Sequence, residues 1–258
     1  MRIVPVPQLR DNYAYLVIEE TTGEALVIDA AEADVIRAAC AREHAQLKAV
    51  LSTHYHPDHT GGNAELAAMI PGLRVIGSVG DRDRTPALTE ALADRAQVQV
   101  GALRAEVLSV PCHTRGHVAY RFGRDLFSGD TLFIGGCGRF FEGGPREMYH
   151  ALYQVIGTLP DDTRVWCGHE YTEKNLDFAL SVEPLNQALR AKRAEAAERR
   201  ARGEPTVPST LGAERSHNPF LRVTSPEISA TIARRAPATD LSDPIAVLGA
   251  LRALKDQF

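Results

Sequence analysis

The segment Thr53-His54-Tyr55-His56-Pro57-Asp58-His59 sets three imidazoles and a carboxylate within six residues, directly behind an apolar run at 48–52 that has strand composition. Imidazoles this crowded would repel one another when protonated and lose solvation when buried, so the density calls for a cation. On extended backbone His54 and His56 point to one side and can share one ion. Pro57 and the turn toward Gly61 redirect the chain, so Asp58 and His59 face a second point close by. Two adjacent metal positions follow.

Three later segments can complete the shells. His113 lies in Pro111-Cys112-His113-Thr114, Asp130 in Ser128-Gly129-Asp130-Thr131, and His169 in Trp166-Cys167-Gly168-His169, each just after an apolar strand pattern. Loops at strand ends on a rigid sheet are where functional groups usually sit. A carboxylate can bridge two cations and neutral imidazoles suit zinc and iron. The expected set is His54, His56 and His113 on one ion and Asp58, His59 and His169 on the other, with Asp130 between them. His117 is left open between ligation, an outer hydrogen-bonding role and packing, whereas His44, His150 and His217 stand in no cluster. Cys40, Cys112, Cys137 and Cys167 show no paired spacing and read as small buried hydrophobes.

The 258 residues exceed one small core, and 44% hydrophobic with 24% charged residues is ordinary globular composition. No apolar run near the N-terminus approaches the roughly 20 residues that a bilayer span needs. An unexported, cytoplasmic protein without membrane or nucleic-acid partners is expected, and a monomer. The basic stretch 190–202 is interleaved with Glu195 and Glu198 and reads as a solvated helix face, with net charge −4 overall.

Strand patterns at 3–6, 13–18, 25–28, 48–52, 73–76, 97–100, 105–110, 118–122, 125–127 and 164–167 alternate with helical patterns at 32–42, 63–70 and 146–157. From Tyr171 onward helices dominate, at 172–181, 184–202, 226–233 and 244–255, with a Pro/Ser/Thr-rich loop at 203–219. The expectation is an α/β catalytic domain at 1–170 and a helical substrate-binding domain at 171–258.

The spacing His54-x-His56-x-Asp58-His59, then His113, Asp130 and His169, resembles the metallo-β-lactamase fold superfamily, an αββα sandwich with metals at one edge. Asp11-Asn12-Tyr13, Gly129-Asp130-Thr131-Leu132-Phe133, Gly136-Cys137-Gly138-Arg139-Phe140, Cys167-Gly168-His169-Glu170-Tyr171-Thr172, Asn218-Pro219-Phe220 and Lys255-Asp256-Gln257-Phe258 narrow the resemblance to the glyoxalase II family, the hydroxyacylglutathione hydrolases. It covers nearly the whole chain. The resemblance implies a binuclear metal-dependent thioesterase that converts S-D-lactoylglutathione to glutathione and D-lactate, the second step of methylglyoxal detoxification. Two divalent ions are implied, zinc first, with iron or manganese compatible with the same ligands. Asp58 and Asp130 would act at the reacting water.

Substrate contacts are implied at Arg139, Phe141, His169, Tyr171, Arg252 and Lys255. The cations suit a carboxylate-bearing substrate on an acidic chain. Phe141 departs from the Tyr that the family often carries, so a phenolic hydrogen bond to the substrate is missing. The competing readings are another enzyme on the same fold (a lactonase, a phosphodiesterase or a sulfur dioxygenase) and a non-catalytic binding module with structural metals.

Overall fold

In the computed structural model, which describes residues 1–258, the chain opens with a hairpin of β1 (Arg2–Gln8) and β2 (Asn12–Ile18). Contacts divide the chain into two units, residues 1–109 with 114–129 and residues 110–113 with 130–258. In the first unit, β3 (Glu24–Ile28), α1 (Ala33–Arg42), β4 (Gln46–Leu51), α2 (Pro57–Thr60), α3 (Asn63–Met69), β5 (Arg74–Ser78) and β6 (Glu90–Leu92) follow. The strands form one sheet in order β1-β2-β3-β4-β5-β6, antiparallel through β3 and parallel from β3 to β6. A second set, β7 (Gln97–Val100), β8 (Leu103–Ser109), β9 (Val118–Phe122) and β10 (Asp125–Gly129), runs antiparallel between neighbours.

Every residue of β2 is buried, because the strand has protein on both faces. Ala14, Leu16 and Ile18 point into a core shared with Ile36 of α1 and Leu66 of α3, as the two-residue period of a strand requires. Tyr15, on the opposite face, meets the ring of Phe127 on β10 at 5.3 Å. The hydroxyl of Tyr120 on β9 donates to Ser52 O at 2.9 Å, just past β4. Each wholly buried Ile or Leu contributes roughly 1.5–3 kcal/mol. The helix-on-sheet-on-sheet layering therefore fixes where the end of β4 delivers the histidine segment.

The second unit contains a short hairpin, β11 (Leu132–Phe133) with β12 (Gly136–Cys137). Next comes α4 (Pro145–Tyr149), which runs on through π geometry at His150–Val155. A strand β13 (Arg164–Cys167) pairs antiparallel with β14 (Ser209–Thr210). The remaining helices are α5 (Thr172–Val182), α6 (Gln187–Ala201), α7 (Leu211–His217), α8 (Pro226–Arg235) and α9 (Pro244–Asp256). Leu176, Ala179, Leu189 and Ala196 join α5 to α6, and Arg193 of the basic stretch reaches Asp177 at 2.6 Å and Glu173 at 3.0 Å on α5.

Two expectations need correction here. The segment 203–219 is not a plain loop: Thr210 Oγ1 accepts from Ala213 N at 3.2 Å and so caps α7, whose buried Leu211 is too little apolar signal to show periodicity. The helix expected from residue 184 starts at Gln187, because Asn186 accepts from Leu189 N at 3.1 Å as its cap. No helix is long and apolar enough to cross a membrane.

Candidate metal centre

In the first unit the histidine segment is held by one buried acid that the sequence reading did not single out. Asp29 follows β3 with a φ of 56° and is 2% exposed. Its carboxylate accepts from Thr53 N at 2.7 Å and from Thr53 Oγ1 at 2.8 Å, and lies 2.9 Å from His59 Nδ1. An acceptor at Nδ1 places the proton there and leaves Nε2 with its lone pair, the arrangement in which a histidine binds metal. The same logic applies to His54: Thr53 Oγ1, already donating to Asp29, stands 3.1 Å from His54 Nδ1 as an acceptor. His54 Nε2 then lies 3.0 Å from His56 Nδ1. Two ligands of a tetrahedral ion with bonds of about 2.0–2.1 Å are separated by roughly 3.3 Å.

Asp58 and His59 belong to the single turn of α2, which Pro57 opens. Asn12, buried at the start of β2, donates to Asp58 O at 3.0 Å and to Asp58 Oδ2 at 3.1 Å, and Asp58 Oδ2 is 3.6 Å from His59 Nε2. His117 is wholly buried and stacks on His54, with ring centroids 4.7 Å apart and planes 18° from parallel. Gly129 ends the unit at a φ of 49°, where a Cβ would strike Thr53 Oγ1 and the His117 ring.

In the second unit three of the expected ligands meet. His113 Nε2 is 3.5 Å and His169 Nε2 is 3.3 Å from the same oxygen, Asp130 Oδ2. His113 Nδ1 donates to Arg139 O at 3.1 Å, which again turns Nε2 inward. Gly138 packs so close to Asp130 that a Cβ would fall on the Asp130 carbonyl. Tyr171 stacks on His169 at 4.6 Å, and Phe133 stands edge-on to both rings. The donor set is imidazole and carboxylate throughout, which fits zinc, iron or manganese. The thiols stay out of it: burial pushes Cys167 up to about 12 and raises Cys112 and Cys137, and Cys112 donates to Gly144 O at 3.4 Å.

Of the expected substrate residues, Arg139, Phe141 and Arg252 line a cavity of about 460 Å³ together with Phe140, Pro145 and Asp256, whereas His169, Tyr171 and Lys255 are not in its lining. Phe141 is 59% exposed and its ring lies 5.0 Å from His113. Asp256 Oδ1 pairs with Arg139 Nε at 3.3 Å and Arg252 Nη2 at 3.0 Å. Arg252 and Lys255 are not the surface cations that a place near a helix C-terminus suggests. Arg252 is 5% exposed and donates to Cys137 O at 2.8 Å. Lys255 Nζ donates to Asn175 Oδ1, and burial, followed by the charge of Arg252, lowers its pKa to about 7. His44, His150 and His217 join none of the groups that could hold an ion, and His150 contacts Gln154 while His217 contacts Glu214.

Comparison with known proteins divides along the chain. Residues 8–169 match the family described as "Metallo-beta-lactamase superfamily" and residues 170–258 the family described as "Hydroxyacylglutathione hydrolase C-terminus". A Synechococcus protein described as "Hydroxyacylglutathione hydrolase" is 48% identical over the full length of both chains. An Arabidopsis thaliana protein described as "Hydroxyacylglutathione hydrolase cytoplasmic" is 41% identical over all of this chain and 99% of its own. Among solved structures, ETHE1 from Myxococcus xanthus superposes with a TM-score of 0.68 at 24% identity, covering 99% of this chain and 98% of its own, a likeness of fold. TTHA1623 in a di-iron-bound form superposes with a TM-score of 0.61 at 26% identity, covering 86% of this chain and all of its own.

Proposed function

The chain belongs to the hydroxyacylglutathione hydrolase family of the metallo-beta-lactamase superfamily, and from that premise we propose that it hydrolyses S-(2-hydroxyacyl)glutathione, S-D-lactoylglutathione first, to glutathione and a 2-hydroxy acid. Residues 1–170 supply the catalytic part and residues 171–258 the helical substrate-binding part. His54, His56 and His113 would hold one divalent ion and Asp58, His59 and His169 the other, with Asp130 as the carboxylate available to both and zinc as the expected occupant. The reading is supported most by Asp130 Oδ2, one oxygen within 3.3–3.5 Å of two imidazole Nε2 atoms. The di-iron form of TTHA1623 supports the ion count. His117 serves as a packing wall for His54. The protein acts as a monomer in the cytoplasm, where the description of the Arabidopsis relative places that protein.

When bound, the ions supply Lewis-acid polarisation of the thioester carbonyl and lower the pKa of a water from about 15.7 toward about 7. The chain's own residues do the rest. Asp58, its carboxylate steadied by Asn12, accepts a hydrogen bond from the attacking water and orients it. Arg139, Arg252 and Lys255 receive the carboxylates of the glutathione moiety by charge-assisted hydrogen bonds, and Tyr171 offers its hydroxyl. Phe141 gives apolar contact where a phenol would have donated. The thiolate leaves without a strong general acid, since an ordinary thiol has a pKa of about 8.5.

The test is steady-state hydrolysis of S-D-lactoylglutathione by metal-replete protein, with elemental analysis of the same sample. Turnover that a chelator removes and added metal restores is expected. Two bound metals without thioesterase activity would refute the substrate, and oxygen uptake on a glutathione persulfide would replace the hydrolase reading with an oxidative one.

A further inference from the structure

The β11–β12 hairpin lies between Asp130 and Arg139 in sequence, and side chains from the helical part of the chain hold it group by group. Asn175 Nδ2 donates to Ile134 O at 3.0 Å. Glu214 Oε2 accepts from Gly135 N at 2.8 Å. Asn218 Nδ2 donates to Phe133 O and Gly136 O, both at 3.1 Å, and to Glu214 Oε2 at 3.0 Å, while its Oδ1 accepts from Phe220 N at 3.1 Å. Glu214, Asn218 and His217 are at most 2% exposed, and His217 Nε2 lies 3.1 Å from Glu214 Oε1.

An ionised carboxylate this deeply buried is costly unless it is paired and fully hydrogen-bonded. Burial raises the pKa of Glu214, but His217 and the hydrogen bonds outweigh it and leave the group below its ordinary range. Stability alone would be met as well by an apolar contact of the same volume. What an apolar contact cannot do is fix four consecutive residues of a turn through their backbone polar groups.

We propose that Asn218 and Glu214 are positioning residues for the metal centre: through the hairpin they set the Asp130 carboxylate and, through Arg139 O, the ring of His113. The path is short. Thr131 alone separates Asp130 from β11, Gly138 is packed on Asp130 O, and Arg139 O is the acceptor for His113 Nδ1. Phe133, whose carbonyl Asn218 holds, also places its ring against His169. The helical region thus acts on the ligands as well as on the substrate. This inference rests on the assignment of His113, Asp130 and His169 as ligands.

The experiment measures zinc affinity of the full chain by competition with a chromophoric chelator, alongside thermal melting, for wild type, Asn218→Ala and Leu189→Ala. Leu189→Ala empties part of the α5/α6 core and removes none of the hydrogen bonds that grip the hairpin, so it reports what lost stability alone does to metal binding. Asn218→Ala should weaken zinc binding about tenfold or more, the low end for outer partners of metal ligands, with Leu189→Ala close to wild type. Equal affinity in the two variants overturns the inference. If Asn218→Ala does not melt cooperatively, Asn218→Ser, which keeps one donor, is judged by the same comparison. Wild-type protein that binds no zinc, iron or manganese would instead remove the ligand assignment beneath it, and chelator competition separates that failure from a failure of the clamp.

Discussion

The two groups of expected ligands are held in place by different means. His54, His56, Asp58 and His59 lie within one loop and one helical turn, and their orienting partners Asp29, Thr53 and Asn12 are side chains at strand ends of one sheet. His113, Asp130 and His169 come from three separate segments, and their geometry depends on a main-chain carbonyl, on close backbone packing and on a hairpin gripped by Asn175, Glu214 and Asn218. A ligand group built from neighbours in sequence can be oriented by single hydrogen bonds. A dispersed one has to be oriented by fixing backbone.

The largest effect should come from Asp130→Ala, which removes the only carboxylate beside both His113 and His169. Thioester hydrolysis should fall beyond measurement, well past the roughly 100-fold that outer-partner changes reach, with metal content falling in parallel. Retention of both by the variant would end the idea that the dispersed group centres on this acid. Next, Asp29→Ala takes the acceptor from His59 and Thr53 together. Metal affinity should drop about 10- to 100-fold by chelator competition; an unchanged affinity would mean that the contiguous group orients itself without its buried acid.

Lys255 gives a smaller effect with a definite sign. Its pKa of about 7 means that it is charged below that pH and neutral above, so its contribution to binding an anionic substrate is complete on the acid side and fades as pH rises through about 7. kcat/KM, which reports groups of the free enzyme, should carry that descending limb. Lys255→Met should remove the limb and raise KM about tenfold at pH near 6, the worth of one charge-assisted hydrogen bond, with kcat nearly unchanged. A fall confined to kcat would contradict a ground-state binding role. Smallest of all, Arg193→Ala breaks partly exposed ion pairs to Asp177 and Glu173 and should cost about 1 kcal/mol or less in denaturant unfolding, with activity untouched.

The same contrast explains what could be read in advance. The contiguous cluster after a strand, the strands β1–β5, β7–β10 and β13 and the amphipathic helices α5, α8 and α9 are visible in composition and period, because local spacing carries them, whereas the three-residue β6 and two-residue β14 are too short to show a period. Asp29 was not, although its place directly after Val27-Ile28, in a strand parallel to the one that leads into His54, is a signal that could have raised it. The grip of Glu214 on Gly135 spans 79 residues, and nothing local in Leu211-Gly212-Ala213-Glu214 marks that acid as buried. The burial of Arg252 and the half-burial of Lys255 escape the sequence for a related reason. Position near a helix C-terminus suggests solvent, whereas the hairpin and Phe220 cover them.

The contact of Gly138 with the Asp130 carbonyl has an evolutionary corollary. In a saturation library scored for turnover, this codon should tolerate no replacement, Ala included, since even a methyl group displaces the peptide that carries the acid. Gly123, with a φ of 58° but open space around its missing Cβ, should accept Asn or Asp, which tolerate left-handed backbone.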